Sequence, residues 1–180
     1  MMRRTWLVGL LSVALTACTT TPEPGSIEPE LKFFSRIKVP DNHRAVLRLR
    51  AQGAQLFRCE RLGVGGQLAY GWIYRQPEAD LFDAAGRFVG SHGANFTFEH
   101  NDGSVLVGRV VGHDEAARAE DLPWLLLATR AHGQGALARI DYVQRVNTRG
   151  GMPPDRCDPN EQNQLLRVSF SADFIFYQPR

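Results

Sequence analysis

Apolar side chains recur at every second position along several short segments of this chain. Near the carboxyl terminus, Phe170, Phe174 and Phe176 occupy one alternate set of positions, while Ser171 and Asp173 occupy the other. A period of two places each set on one face of a β-strand, whereas a helix requires a period near 3.6. Helical periodicity is scarce from about residue 31 onward. The pattern therefore predicts an all-β fold.

Turn residues divide the chain into about nine or ten predicted strands. A strand that starts near residue 45 is predicted to end at Gly53, and the apolar run 124–129 predicts a strand buried on both faces. The Asp102-Gly103 pair predicts a hairpin in which Asp102 is the first central residue of a primed turn. This number of strands, with no long helix, favours a single-domain β-sandwich or a partly closed β-barrel.

The first residues have the pattern of an export signal. Arg3 and Arg4 precede the short apolar run 6–15, which is too short to cross a bilayer as a permanent helix. The run leads into Leu-Thr-Ala-Cys, which resembles a bacterial lipobox and implies a signal peptide at 1–17 and a lipid on Cys18. An ordinary signal peptide, with Cys18 incidental, is the alternative. Thr19 stands where an inner-membrane retention signal has Asp, which favours the outer membrane.

The charge balance excludes a general nucleic-acid binder. The chain has 21 Lys and Arg against 19 Asp and Glu, and loss of Arg3 and Arg4 with the signal peptide would leave 19 of each. A protein without net positive charge lacks the field that attracts a phosphate backbone. Residues 18–38 begin with a stretch rich in Thr, Pro and Glu, and we expect them to form a flexible tether to a β-domain at 39–180.

Two cysteines remain once Cys18 is assigned to lipid. Cys59 and Cys157 form an even pair in an exported chain, which indicates a disulfide bond. A metal or redox pair is the alternative. Neither residue lies in a C-x-x-C motif, and no His lies at a ligand-like spacing from either of them.

Residues suited to ligand binding are few and scattered. The five His residues show no metal-ligand spacing, and most are expected on the surface or in loops. His92 is singled out because it follows Gly90 and precedes Gly93 in a predicted loop, where backbone could approach a ligand. The polar segment 145–151 lies at the end of a predicted strand. Its side chains could contact an anion or a carbohydrate, or they could hold the loop through hydrogen bonds to its own backbone. The candidate binding residues are His92, Trp124, Arg145, Asn147 and Thr148.

Catalytic and cofactor motifs are absent from the sequence. No pair of carboxylates is placed so that both must face one site, and no G-x-S-x-G elbow occurs. The glycine string 63–68 has Leu68 where dinucleotide binding needs a third small residue, and no helical pattern follows it. We therefore expect no cofactor, no metal and no catalytic residue.

The order and spacing of these segments resemble the domain of unknown function 3455 family over roughly residues 40–178. The resemblance is carried by the segments 47–59, 79–92, 102–108, 122–127, 144–151, 157–158 and 171–177. Members occur in bacteria and fungi, commonly behind export signals, and no activity is established for them. The resemblance also implies that Cys59 pairs with Cys157. The chain departs from the family pattern at 93–96, where members commonly carry an aromatic residue followed by Pro.

These observations predict a lipid-anchored envelope protein that faces the periplasm and binds without performing chemistry. Its partners would be the membrane, through the lipid on Cys18, and an envelope glycan or small ligand. A metal-assisted hydrolase that uses His92 is one alternative, and a purely structural envelope protein is another.

Overall fold

The computed structural model describes residues 27–64 and 67–180, apart from the side chains of 64, 67 and 68. The predicted signal peptide, Cys18 and the first part of the predicted tether lie outside these residues. The strands are β1 His43–Val64, β2 Gln67–Phe82, β3 Phe88–Gly93, β4 Thr97–His100, β5 Val105–Asp114, β6 Trp124–His132, β7 Tyr142–Gly150 and β8 Leu165–Pro179. Short 3₁₀ turns lie at Ala94–Phe96 and Pro159–Glu161. Within the described residues, no helix has the length and apolar character needed to cross a membrane.

The strands form one closed antiparallel barrel in chain order. Each strand pairs with the next, and β8 returns to pair with β1 from His43 to Arg58. The prediction of a single-domain all-β fold is confirmed. Of the two architectures that were predicted, the structure has the barrel, and the barrel is fully closed. Closure removes the exposed strand edges that an open sheet would present to other chains.

The predicted strand count was too high because β1 does not end at Gly53. It continues through Gly53, where a side chain would place its Cβ 2.1 Å from the carbonyl oxygen of Glu78 on β2. The glycine therefore permits a close approach of two paired strands, and two predicted strands are one.

The predicted hairpin exists, but its turn is of a different type. Only Gly103 of the Asp102-Gly103 pair has a positive φ, at 87°, so Asp102 is not the first residue of a primed turn. The carboxylate of Asp102 instead accepts hydrogen bonds from the backbone and hydroxyl of Ser104, at 2.9 and 2.6 Å, and from the backbone of Ala136 at 2.7 Å. These donors hold the pKa of Asp102 well below its usual range.

Apolar side chains fill both the barrel interior and a patch on its outer surface. The interior contains an aromatic cluster in which Phe98 packs against Phe174 and Phe176, with ring centroids 4.9 and 5.5 Å apart. The outer patch contains Leu126, Val146, Ile175 and Tyr177. Since Leu126 faces out while the neighbouring leucines of β6 face in, the prediction of a strand covered on both faces is confirmed for its first half.

The outer patch is covered by the segment that precedes β1. Ile37 is fully buried there, and its carbonyl oxygen accepts a hydrogen bond of 2.6 Å from the side chain of Gln144. Ser35 donates a hydrogen bond of 2.6 Å to Asp114 on β5. The end of the segment predicted as a tether, up to residue 38, is thus packed on the barrel.

The predicted disulfide between Cys59 and Cys157 is confirmed, with a Cα–Cα distance of 6.0 Å. Cys59 lies on β1 and is fully buried, and Cys157 precedes the second 3₁₀ turn. The backbone of Cys59 also pairs with residues on the far side of that turn, through bonds of 3.0 Å from its N–H to Gln164 and 2.8 Å from Asn163 to its carbonyl. The disulfide and these hydrogen bonds therefore hold the β7–β8 connection against β1.

Reduction of this disulfide is expected to lower the melting temperature markedly. It closes a loop with a sequence separation of 98 residues, for which chain entropy alone gives about 4.7 kcal/mol as an upper figure. The measurement is calorimetry with and without reductant, with the Cys59→Ser/Cys157→Ser double variant as a control for reductant effects. Identical melting curves for oxidised and reduced protein would contradict the expectation.

Candidate ligand-binding site

One end of the barrel interior contains a cavity of about 370 Å³, which we call the mouth cavity. Strands β1, β2 and β7 contribute to its wall, together with the β3–β4, β5–β6 and β7–β8 connections. Its lining residues are Gln55, Phe57, Trp72, Tyr74, Phe96, Leu122, Arg145, Met152 and Pro153. A volume in this range and a mostly apolar wall with few polar groups are typical of small-molecule sites.

Arg145 brings a positive charge into this apolar surface. It lies on β7 between Leu125 of β6 and Phe174 of β8, and it is only 7% exposed. Its Nε and Nη2 atoms donate hydrogen bonds of 3.2 and 3.0 Å to the carbonyl oxygen of Pro123. Burial lowers the pKa of Arg145 to about 10, so the side chain is still charged at neutral pH.

Arg145 has no acidic partner among the described residues, since no Asp or Glu there forms an ion pair with it. Tyr74 lies at the rim of the cavity and would offset the charge of Arg145 only as a phenolate. A phenol is neutral at pH 7, and partial burial raises the pKa of Tyr74 further. A buried cation without a counter-charge is costly to the folded state.

Gln55 adds a buried amide to the wall of the mouth cavity. It lies on β1, is 2% exposed, and its Nε2 atom has no hydrogen-bond partner within the described part of the chain. A buried donor left without a partner costs roughly 1–3 kcal/mol. Gln55 is therefore, with Arg145, one of the two buried polar side chains in the described wall of this cavity.

His92 lies in strand β3, not in a loop as the sequence suggested. It pairs across the sheet with Ala79 and Phe98, and its side chain points into the barrel, where it is 1% exposed. The ring stacks on Phe98 at a centroid distance of 4.4 Å. It does not line the mouth cavity itself, but it lies 6.3 Å from the ring of Phe96, which does.

The protonation of His92 is set by its surroundings. Its Nδ1 atom lies 3.0 Å from the carbonyl oxygen of Thr97, which can only accept, so Nδ1 carries the proton and Nε2 is an unprotonated acceptor. Nε2 has no partner among the described residues. Burial, with a smaller effect from the charge of Arg145, lowers the pKa of His92 to about 3.

The wall beside His92 contains two residues in a left-handed backbone conformation. Asn95 has φ 56° and Phe96 has φ 51°, within the 3₁₀ turn that joins β3 to β4. Asn tolerates this region, whereas a bulky residue such as Phe rarely adopts it. Strain of this kind persists where surrounding packing imposes it and is concentrated at functional sites.

The structure brings together only two of the five candidate binding residues. His92 and Arg145 share the barrel interior, whereas Trp124 packs on the outer apolar patch. Asn147 is exposed and donates a hydrogen bond of 2.8 Å to Asp173. Thr148 donates one of 2.6 Å to the carbonyl oxygen of Leu122, which is a structural contact. Sequence reasoning missed Gln55 and Trp72 as residues of the site.

A larger depression of about 800 Å³ lies along β1 and the β2–β3 turn. Two ion pairs lie within it, Arg48 with Asp173 and Arg87 with Asp83, each at 2.6 Å. Its carboxylates are thus already neutralised by neighbours, and none of its side chains is a buried polar group without a partner. We therefore place the candidate site at the smaller mouth cavity.

The protein is a small closed antiparallel barrel, and one end of it contains a mostly apolar cavity with two buried polar side chains, Arg145 and Gln55. The chain belongs to a family described as a protein of unknown function, DUF3455, whose model matches residues 40–178. The resemblance seen in the sequence is thereby confirmed. No curated protein and no solved structure matches the chain. The described residues contain no group of three or more His, Cys, Asp or Glu side chains placed to hold a metal ion.

The buried state of His92 predicts a specific loss of stability in acid. The unfolded chain takes up a proton near pH 6.5, whereas the folded chain resists protonation down to about pH 3. Below pH 6.5 the unfolded state therefore binds more protons, and this residue alone should remove about 1.4 kcal/mol of unfolding free energy per pH unit. Urea unfolding of wild type and His92→Gln at pH 7, 5 and 4 measures the effect.

The unfolding free energy of His92→Gln should depend less steeply on pH than that of wild type, whatever the absolute stability of the variant. His132→Gln serves as the matched control, because His132 is an exposed histidine and its replacement should leave the wild-type slope unchanged. Equal slopes for wild type and His92→Gln would show that His92 is not buried in its neutral form.

Proposed function

We propose that this chain is a lipid-anchored protein of the bacterial cell envelope that faces the periplasm and binds a small ligand in the mouth cavity. The observation that carries the binding proposal is the pair of buried polar side chains, Arg145 and Gln55, which line an apolar cavity. Among the described residues, no acidic group pairs with Arg145, and the Nε2 atom of Gln55 has no hydrogen-bond partner. A ligand with matching acceptors would offset the cost of burying them.

Export and anchoring are supported by the amino-terminal pattern and by the disulfide. Arg3, Arg4, the apolar run 6–15 and Cys18 have the order of a bacterial lipoprotein signal. The bond between Cys59 and Cys157 fits a chain that folds in an oxidising compartment such as the periplasm. Anchoring through Cys18 would leave the barrel at the membrane surface.

Binding has more support from the geometry than either alternative has. A hydrolase that uses His92 would need Nε2 to reach a substrate. This atom is enclosed by protein atoms, and the ring is packed against Phe98 and Phe174, although the residue borders a surface depression of about 440 Å³. In a purely structural protein, Arg145 would contribute only its hydrogen bonds to Pro123, and an uncharged donor could make such a contact without the cost of a buried charge.

Lipid attachment predicts a defined modification. Mass spectrometry of the membrane fraction should find the mature chain beginning at Cys18, with a diacylglycerol group on its thiol. Cys18→Ser should release the protein from the membrane fraction, whereas Cys59→Ser/Cys157→Ser should remain there. A mature chain with an unmodified Cys18 thiol would contradict anchoring and leave export in place.

Binding in the mouth cavity predicts a local fluorescence change. The chain has three tryptophans: Trp6 lies in the predicted signal peptide, Trp72 lines the cavity and Trp124 lies on the outer patch. In Trp124→Phe, titration with a panel of small polar and apolar compounds should include some that change Trp72 emission saturably and raise the melting temperature.

The reciprocal variant, Trp72→Phe, is the control. Its remaining Trp124 should not respond to the same compounds, and each bound compound should be recovered with its mass unchanged. The proposed site would be overturned if no compound changed the emission of Trp72, or if the compounds changed the emission of both tryptophans equally. Recovery of a cleaved compound would favour the enzyme.

A further inference from the structure

We infer that the mouth cavity selects a small monoanionic carboxylate with a flat apolar body. This inference rests on the proposed binding function and specifies its ligand. It is drawn from the charge of Arg145, from the number and geometry of its free donors, and from the size and aromatic character of the wall.

The charge of the ligand follows from the charge of its site. Among the described residues, Arg145 is the only cation that lines the cavity, and no Asp or Glu lines it. Tyr74 is a neutral phenol at pH 7, and partial burial raises its pKa further, so it does not offset the arginine. One negative charge therefore balances the site, whereas a phosphate dianion would leave one charge uncompensated in an apolar surrounding.

The donors available are arranged for a planar acceptor. A guanidinium has five N–H groups in one plane, and Arg145 uses two of them on Pro123. The remaining N–H groups can contact both oxygens of a carboxylate, the geometry in which arginine binds such groups most strongly. Gln55 also lines the cavity, but its Nε2 atom is enclosed by protein atoms, so the contacts to a carboxylate come from Arg145.

The size and wall of the cavity limit the rest of the ligand. A volume of about 370 Å³ equals about twelve water molecules of roughly 30 Å³ each, so the ligand has on the order of ten non-hydrogen atoms. Phe57, Trp72 and Phe96 contribute three aromatic side chains to the wall. Aromatic faces favour offset or edge contacts with another flat apolar group. Benzoate has the charge, the planar acceptor and the size that these limits require.

The test compares four probes on Trp124→Phe, with Trp72 as the reporter. They are benzoate, its neutral analogue benzamide, acetate, which lacks the apolar body, and phenyl phosphate, which carries a second charge. Benzoate should bind at least tenfold more tightly than each of the other three. This comparison uses one folded protein, so it does not depend on whether a site variant folds.

Substitution of Arg145 then tests the source of the preference. Arg145→Met should bind benzoate and benzamide alike and should melt at a higher temperature without ligand, because an uncompensated buried charge is gone. Arg145→Lys keeps the charge but loses the planar guanidinium. Its affinity for benzoate should therefore lie between those of the parent protein and Arg145→Met. Arg130→Met replaces an exposed arginine of β6 and should bind as the parent does.

Each outcome separates this inference from the proposed function. Equal binding of benzoate and benzamide, or tighter binding of phenyl phosphate, would overturn the carboxylate assignment while small-molecule binding stands. A lower melting temperature of Arg145→Met with unchanged benzoate affinity would make the arginine structural and overturn it as well. If no compound of any class changes Trp72 emission, the proposed function itself fails.

Discussion

The pairing of β8 with β1 is the constraint on which the rest of this structure depends. It extends from His43 to Arg58, and β1 also pairs with β2 from Arg50 to Val64, so one long strand joins the two ends of the sheet. Closure turns one face of every strand toward a common interior. Side chains from β1, β2 and β7, far apart in sequence, meet there only because the ring is closed.

The interior of the ring is divided into a packed part and an open end. Phe98, Phe174 and Phe176 fill the packed part with edge-on ring contacts, and His92 stacks against this cluster as a neutral ring. Arg145 lies between Leu125 and Phe174, with its guanidinium at the open end. Arg145, Gln55 and the strained Phe96 thus line one cavity, and costly features gathered in this way are what the proposed binding site would require.

Alternation along the chain was sufficient to predict the fold class and most of the strands, but it could not predict every strand boundary or which strands meet. Gly90 illustrates the difference. Beside His92 it looks like a loop glycine, yet it lies within β3, where a Cβ would approach the carbonyl oxygen of Glu99 on β4 to 2.1 Å. Gln55 likewise looks like an ordinary polar strand residue. Its burial depends on non-local register, which no local pattern contains.

The disulfide also holds part of the wall of the mouth cavity. The β7–β8 connection that contains Cys157 also supplies Met152 and Pro153 to the wall of the mouth cavity. At its start, the buried carboxylate of Asp121 accepts a hydrogen bond of 2.6 Å from the backbone of Gly150. The connection is therefore fixed at its start by Asp121 and near its middle by the bond to Cys59. A wall fixed in advance would lower the entropy lost on binding, so the covalent bond that stabilises the fold would also preorganise the cavity for the proposed ligand.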